Sequence, residues 1–123
     1  MGDSEQITFQ DFPEALLATV CCDRLDYMII DKLQRRIATQ ATLVGKFNVI
    51  LDLGAVEQIS SLILSELVKT LKKLQNQGRR FILVGMGKHV HTSFQVTRMD
   101  MLFEIRPTAA DALKVLALRP AQG

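Results

Sequence analysis

The residues best placed for chemistry are two adjacent serines, Ser60 and Ser61. They close the run Asp52-Leu53-Gly54-Ala55-Val56-Glu57-Gln58-Ile59-Ser60-Ser61-Leu62-Ile63-Leu64. The run reads as an acidic strand end, a short loop with Val56 and Ile59 tucked inward, and the opening of a helix. A helix start leaves backbone N–H groups unpaired and carries a partial positive charge, so it favours an anion such as a phosphate. A serine hydroxyl there can carry a phosphoryl group, or it can simply cap the helix. Spacing alone does not say which serine does which. Ser60 can cap while Ser61 stays exposed, or the reverse.

Other constellations are weaker. His89 and His91 are two apart, so they fall on different sides of a helix, and no second ligand pair stands nearby to make a metal site. Gly85-Met86-Gly87 follows a strand, but a dinucleotide fingerprint needs a further glycine where His89-Val90 stand. Neither serine has the flanking glycines of a hydrolase nucleophile elbow. Cys21 and Cys22 are adjacent, without the gap of a redox pair, and neighbours on a strand point to opposite faces, so they are not expected to bridge each other. Met99 and Met101 flank Asp100 in an expected loop. No catalytic residues, metal or cofactor are expected.

The elements that must position the serines alternate in period. Residues 7–10 and the apolar run 15–22 read as strands with a turn at Phe12-Pro13-Glu14 between them. Asp26 is a candidate cap for a helix with Ile29, Leu33, Ile37 and Ala41 at steps of four, ending near Gly45. Residues 47–53 form the clearest strand, apolar on both faces as a central parallel strand is. A second helix is expected from Ser61 to about Gln77, with Leu64, Leu67, Val68, Leu71 and Leu74 on one stripe and Gly78 ending it. A strand at 80–85, a helix at about 87–97, a short strand at 102–105 and a helix opened by Pro107 and Thr108 follow, before the tail RPAQG. This order gives an α/β fold with a mostly parallel central sheet and alternating helices. One domain is expected over residues 1–123, with its core at about 7–118.

Composition bounds the function. The chain has 123 residues, 48% hydrophobic and 23% charged, with a formal net charge of +2. Its basic residues are dispersed, the densest clusters being the pairs Arg35-Arg36, Lys72-Lys73 and Arg79-Arg80, so no nucleic-acid partner is expected. No apolar run approaches the roughly 18–20 residues of a membrane span. The first residues are polar and acidic, unlike a secretory signal, and Gln6 stands where a myristoylation motif has Ser or Thr. The expected setting is soluble, reduced and cytoplasmic.

At the serine loop the sequence resembles the STAS family, the domains of anti-sigma factor antagonists and sulfate transporter tails. The family pattern is a strand ending in Asp-Leu, then Val-x-x-Ile, then Asp-Ser-Ser/Thr-Gly-Leu at the helix start. Asp52, Val56, Ile59, Ser61 and Leu64 match it. Residues 23–26 (DRLD) are similar to the family's Gly-Arg-Leu-Asp before its first helix, NQGRRFILVGM to its Gly-x-x-Leu-x-Leu-Val strand, and FQVTRMDMLFEI to its Leu-x-x-Thr-x-Leu-x-x-Leu-Phe segment. The resemblance spans about residues 7–118. There are departures. Ser60 replaces the family's acid, Leu62-Ile63 replace Ser/Thr-Gly, and Asp23 replaces a glycine. The β-branched Ile63 is expected to crowd a partner at the first helical turn.

The resemblance implies a protein-binding signalling module and not an enzyme. Ser61 is its phosphoacceptor candidate, Ser60 the second choice, and Asp52, Val56, Ile59, Ser60, Ser61, Leu62 and Ser65 its partner-binding residues. The implied partner is an ATP-dependent anti-sigma factor that is also a serine kinase. Phosphorylation would add roughly −1.5 to −2 charge, tolerated at a helix start but unfavourable inside an interface. Within the same family the alternative is a constitutive structural subunit of a lipid-transport or stress-sensing assembly. A phospho-aspartate receiver is a third reading, on the strength of VILDL, but a receiver needs an acidic pair for Mg²⁺ and a lysine after its last strand. Asp23 and Asp26 are three apart and no lysine follows LFEI.

Overall fold

Five strands and four helices alternate along the chain in a computed structural model that describes residues 6–44 and 47–117. Strand β1 (Ile7–Asp11) pairs antiparallel with β2 (Ala15–Val20), across the tight turn expected at Phe12-Pro13-Glu14. The chain then runs through α1 (Tyr27–Val44), β3 (Asn48–Asp52), α2 (Ser61–Asn76), β4 (Phe81–Val84), α3 (Lys88–Val96), a 3₁₀ turn at Met99–Met101, β5 (Glu104–Arg106) and α4 (Ala109–Ala117). Strands β2 to β5 are parallel, and the sheet order is the sequence order, β1-β2-β3-β4-β5.

That order fixes the layers. Parallel crossovers that step repeatedly in one direction put their helices on one face of the sheet. Leu16, Ala18, Val20, Val49, Leu51, Phe81 and Leu83 accordingly pack with buried residues of α1, α2 and α3. Alternate residues of the same strands, Ala15, Ile50, Ile82 and Val84, turn to the other face, where Ala112 and Leu116 of α4 join them in the core with Ala109 and Leu113 packed at its margin. Central strands covered on both faces lose the polar–apolar alternation, which is why residues 47–53 and 80–85 read as continuous apolar runs.

Local signals set most of the boundaries. Asp26 caps α1 as expected, its Oδ1 accepting from the N–H of Ile29 at 3.1 Å. Leu64, Leu67, Leu71 and Leu74 form the buried stripe of α2, with Val68 packed at its margin. Gly78 follows the Gln77 C-cap with φ of 72°, the left-handed conformation that ends helices. Thr108 opens α4, its Oγ1 accepting from the N–H of Asp111 at 3.1 Å. The expected helix end at Gly45, and the expected core and tail beyond residue 117, lie outside the described residues.

Three expected elements are corrected. The strand at 15–22 stops at Val20, because β1 pairs no further than Ile7 and β3 no further than Asp52. Cys21 is then exposed, while Cys22 packs against the core. The strand at 80–85 stops at Val84, because Gly85 takes φ of 73° and leaves the ladder. The strand at 102–105 starts two residues later and spans Glu104–Arg106, since the 3₁₀ turn takes up Met99–Met101 and leaves Leu102 exposed. Phe103, just before β5, is instead core, in edge contact with the rings of Phe81 and Phe94.

Candidate functional site

The loop before α2 is held at its start by a carboxylate. Asp52 ends β3 half-buried, and its Oδ1 accepts from the N–H of Gly54 at 2.8 Å. Gly85 lies against the same carboxylate, since a Cβ there would stand 2.8 Å from Asp52 Oδ1 and 3.3 Å from the Gly54 nitrogen. The Leu53 N–H reaches Val84 O at 2.9 Å and the Val56 N–H reaches Leu53 O at 3.0 Å, which folds the chain back on itself. Val56, only 2% exposed, anchors the turn in the core, and Ile59 packs partly against it.

A second loop fixes the far end. The carbonyl of Asp23 accepts from the N–H groups of both Glu57 and Gln58, at 2.8 and 3.2 Å, and Arg24 forms a single β-bridge with Gln58. The segment before α1 is thereby bound to the segment before α2, and the two helix N-termini stand side by side. Between them lies an open cleft of about 420 Å³, walled by Arg24, Asp26 and Tyr27 on one side and by Ile59, Ser60 and Leu62 on the other. A second depression, between Glu57-Gln58 and His89 of α3, borders the same loop.

The two serines are distinct here. Ser60 is the N-cap of α2, with extended backbone and Oγ accepting from the Ile63 N–H at 3.2 Å. Ser61 is the first helical residue and is exposed, and its Oγ makes no hydrogen bond among the described residues. One turn on, Ser65 is also exposed and its hydroxyl donates to Ser61 O at 3.2 Å. The helix carries no acidic residue in its first turn, so the positive end of its dipole is uncompensated there.

Ile63 does not crowd this surface. It is only 4% exposed and belongs to the core cluster, reaching the cleft only as part of its floor. Leu62 points outward instead, 58% exposed, and Tyr27 and Met28 on α1 are exposed as well. Sequence reasoning missed Tyr27 and Met28. The available signal was their position: both are large and apolar at a helix start, yet one and two residues ahead of the stripe that begins at Ile29. Ser60, Ser61, Leu62 and Ile59 are therefore brought to one surface, Ser65 continues it, and Asp52 and Val56 support the loop from beneath. His89 and His91 are exposed on α3. No group of three or more potential metal ligands occurs among the described residues, and none of their helices is long and apolar enough to cross a membrane.

The sequence pattern implied a mostly parallel sheet with alternating helices, and the structure adds the sequential strand order, the antiparallel opening strand and the choice of Ser60 as the cap. The STAS domain family model matches residues 22–112, well over half of the chain. The chain belongs to the STAS domain family. Solved structures agree on the fold of this STAS domain. An anti-sigma-factor antagonist (STAS) domain protein from Planctomyces limnophilus superposes with a TM-score of 0.77 at 19% identity, covering 90% of this chain and 97% of that one. An anti-sigma factor antagonist from Mycobacterium paratuberculosis gives 0.72 at 24% identity, over 90% and 92%. The anti-sigma factor antagonist SpoIIAA in its unphosphorylated form gives 0.70 at 13% identity, over 91% and 98%. The receiver reading does not survive the topology, because a receiver sheet has the order 2-1-3-4-5 and this one runs in sequence order.

Proposed function

We propose that this STAS domain is a protein-binding signalling module of the anti-sigma factor antagonist type, switched by phosphorylation of Ser61, and that it does no chemistry of its own. The observation that carries the reading is the division of labour between the serines: Ser60 holds the cap, and the exposed Ser61 hydroxyl makes no hydrogen bond among the described residues. A phosphate on Ser61 thus leaves the cap intact and meets the positive end of a helix dipole, so the fold tolerates it. At a buried interface the same dianion has to shed its water, so a partner docked there is released. The docking surface is built from Ile59, Ser60, Ser61, Leu62 and Ser65, with Tyr27 across the cleft; Asp52 and Val56 hold it in place. All three structural neighbours are anti-sigma factor antagonists by name, and one of them is described in its unphosphorylated form, which supports an ATP-dependent kinase of the anti-sigma type as the partner. Such a partner would place the domain in the cytoplasm.

The test is intact-mass spectrometry of the chain recovered from its own cells, with fragment mapping across residues 55–69, repeated after incubation with ATP and cell extract. The expected result is one added phosphate on Ser61, absent from Ser61→Ala. Unmodified protein in both experiments overturns the switch. If that unmodified chain also co-purifies with a stable partner, the constitutive-subunit reading replaces it, as the loss of the family acid at Ser60 would then explain.

A further inference from the structure

Helices α1 and α2 part along one side to leave a groove of about 570 Å³, within the range of small-molecule sites (roughly 300–1,000 Å³). On the α1 side Ala38 and Ala41 line it with small side chains. The buried side chains of Ile37 and Leu74 contribute an apolar lining. Gln34 and Thr70 join the two helices across the groove, Nε2 to Oγ1 at 3.1 Å.

Arg79 also lines this groove and is an unusual residue for a core, at 5% exposure. Its Nε donates to Phe47 O at 2.8 Å, Nη1 donates to Gln77 Oε1, and the guanidinium carbon stands 4.3 Å from the centre of the Phe47 ring. Nη2 is fully buried and has no hydrogen-bond partner among the described residues. Neither it nor the rest of the guanidinium is opposed by a carboxylate there. A buried cationic N–H left unpaired is costly and is rarely kept without cause. Burial also draws the Arg79 pKa below its ordinary value, as expected for a cation short of a counter-charge. At the rim, the acid Glu66 is already paired with Lys69 at 3.2 Å, whereas Lys73 has no acidic partner among the described residues.

The geometry points to a ligand site in the α1–α2 groove for a small anion with an apolar tail. Its carboxylate or phosphate would meet Arg79 and Lys73, and its tail would lie along Ala38, Ala41 and Ile37. The exposed Gln77 side chain, which accepts from Nη1, is the part that yields as the anion reaches the guanidinium edge. This goes beyond the partner surface at Ser61, which is built from other residues at the start of α2.

The test is a titration of the full, ¹⁵N-labelled chain with octanoate and, separately, octyl phosphate, with octanol as the neutral control, followed by amide shifts. Saturable shifts at residues 34–41 and 66–79 with either anion, and none with octanol, support the site, and the arm that saturates identifies the headgroup. Arg79→Lys tests the fork. Lys73→Glu, on an exposed position that leaves the fold alone, should weaken binding roughly ten-fold, the scale of one charge-assisted contact. Ala38→Trp, also exposed, should abolish it by filling the groove. No saturable shift with either anion, an equal response to octanol, or affinity unchanged in both Lys73→Glu and Ala38→Trp overturns the proposal.

Discussion

Replacing Gly85 by alanine tests whether the Asp52 carboxylate really organises the loop that presents Ser61. Two costs are expected. Gly85 has φ of 73°, where an L-residue is disfavoured by about 1–2 kcal/mol. The new Cβ would also stand 2.8 Å from Asp52 Oδ1. A carboxylate can swing away from such a contact, but only by giving up its bond to the Gly54 N–H, a charged hydrogen bond worth about 1.5–3 kcal/mol. Gly85→Ala should therefore cost about 2.5–5 kcal/mol. Gly78→Ala is the control, with nearly the same φ of 72° and nothing within 4 Å of its Cβ, so it should cost only about 1–2 kcal/mol. Urea unfolding followed by circular dichroism measures both. A double-mutant cycle then isolates the cause, because in an Asp52→Ala background the carboxylate is gone and Gly85→Ala should cost little more than Gly78→Ala. Equal costs for the two glycines in the wild-type background, or strict additivity in the cycle, would refute the reasoning.

Further expectations concern the same helix and its core. Ser60→Ala removes the cap to Ile63 N and should lower stability by about 1 kcal/mol, whereas Ser61→Ala should stay within about 0.5 kcal/mol, both read from urea midpoints. Ser61→Glu should leave the melting temperature unchanged or slightly raised, since a negative charge in the first turn is worth about 0.3–1 kcal/mol there, while partner capture is lost. Leu62→Asp should likewise spare the melt and abolish capture, because Leu62 is exposed beside Ser61. Leu67→Ala, by contrast, empties a fully buried site on the sheet-facing stripe of α2 and should cost about 2–5 kcal/mol.

Much of this arrangement was legible in the chain itself, wherever the deciding physics was local. Asp26 announces a helix start and Gly78 a helix end because capping and positive φ depend on a few neighbouring atoms. The leucine stripe from Leu64 to Leu74 reads correctly for the same reason: its period is the helix's own. The serines could not be told apart, because both are good caps and only the backbone path set by Asp23, Glu57 and Gln58 decides which one meets the Ile63 N–H. Ile63 was misjudged because its direction depends on where the helix axis sits above the sheet. The shift of β5 had a similar origin, since the 3₁₀ turn at Met99–Met101 carries no strong local signal and Phe103 is held by Phe81 and Phe94 rather than by a ladder. Arg79 defied the usual rule for arginine altogether. Nothing in Gln77-Gly78-Arg79-Arg80 says which arginine is buried, and the answer rests on Phe47, more than thirty positions earlier.

The sequential strand order has a consequence in time. Each strand from β2 to β5 pairs with the one made just before it, so the sheet can grow by addition at a single edge as the chain emerges, with one helical crossover to close at each parallel step. The exception is α4. Ile50, Ile82 and Val84 are completed strand by strand, yet their cover is a nine-residue helix formed from the stretch after β5. An unfinished chain thus shows an apolar strip on one side of an otherwise assembled sheet, and the arrival of Ala112 and Leu116 is what withdraws that strip from other chains.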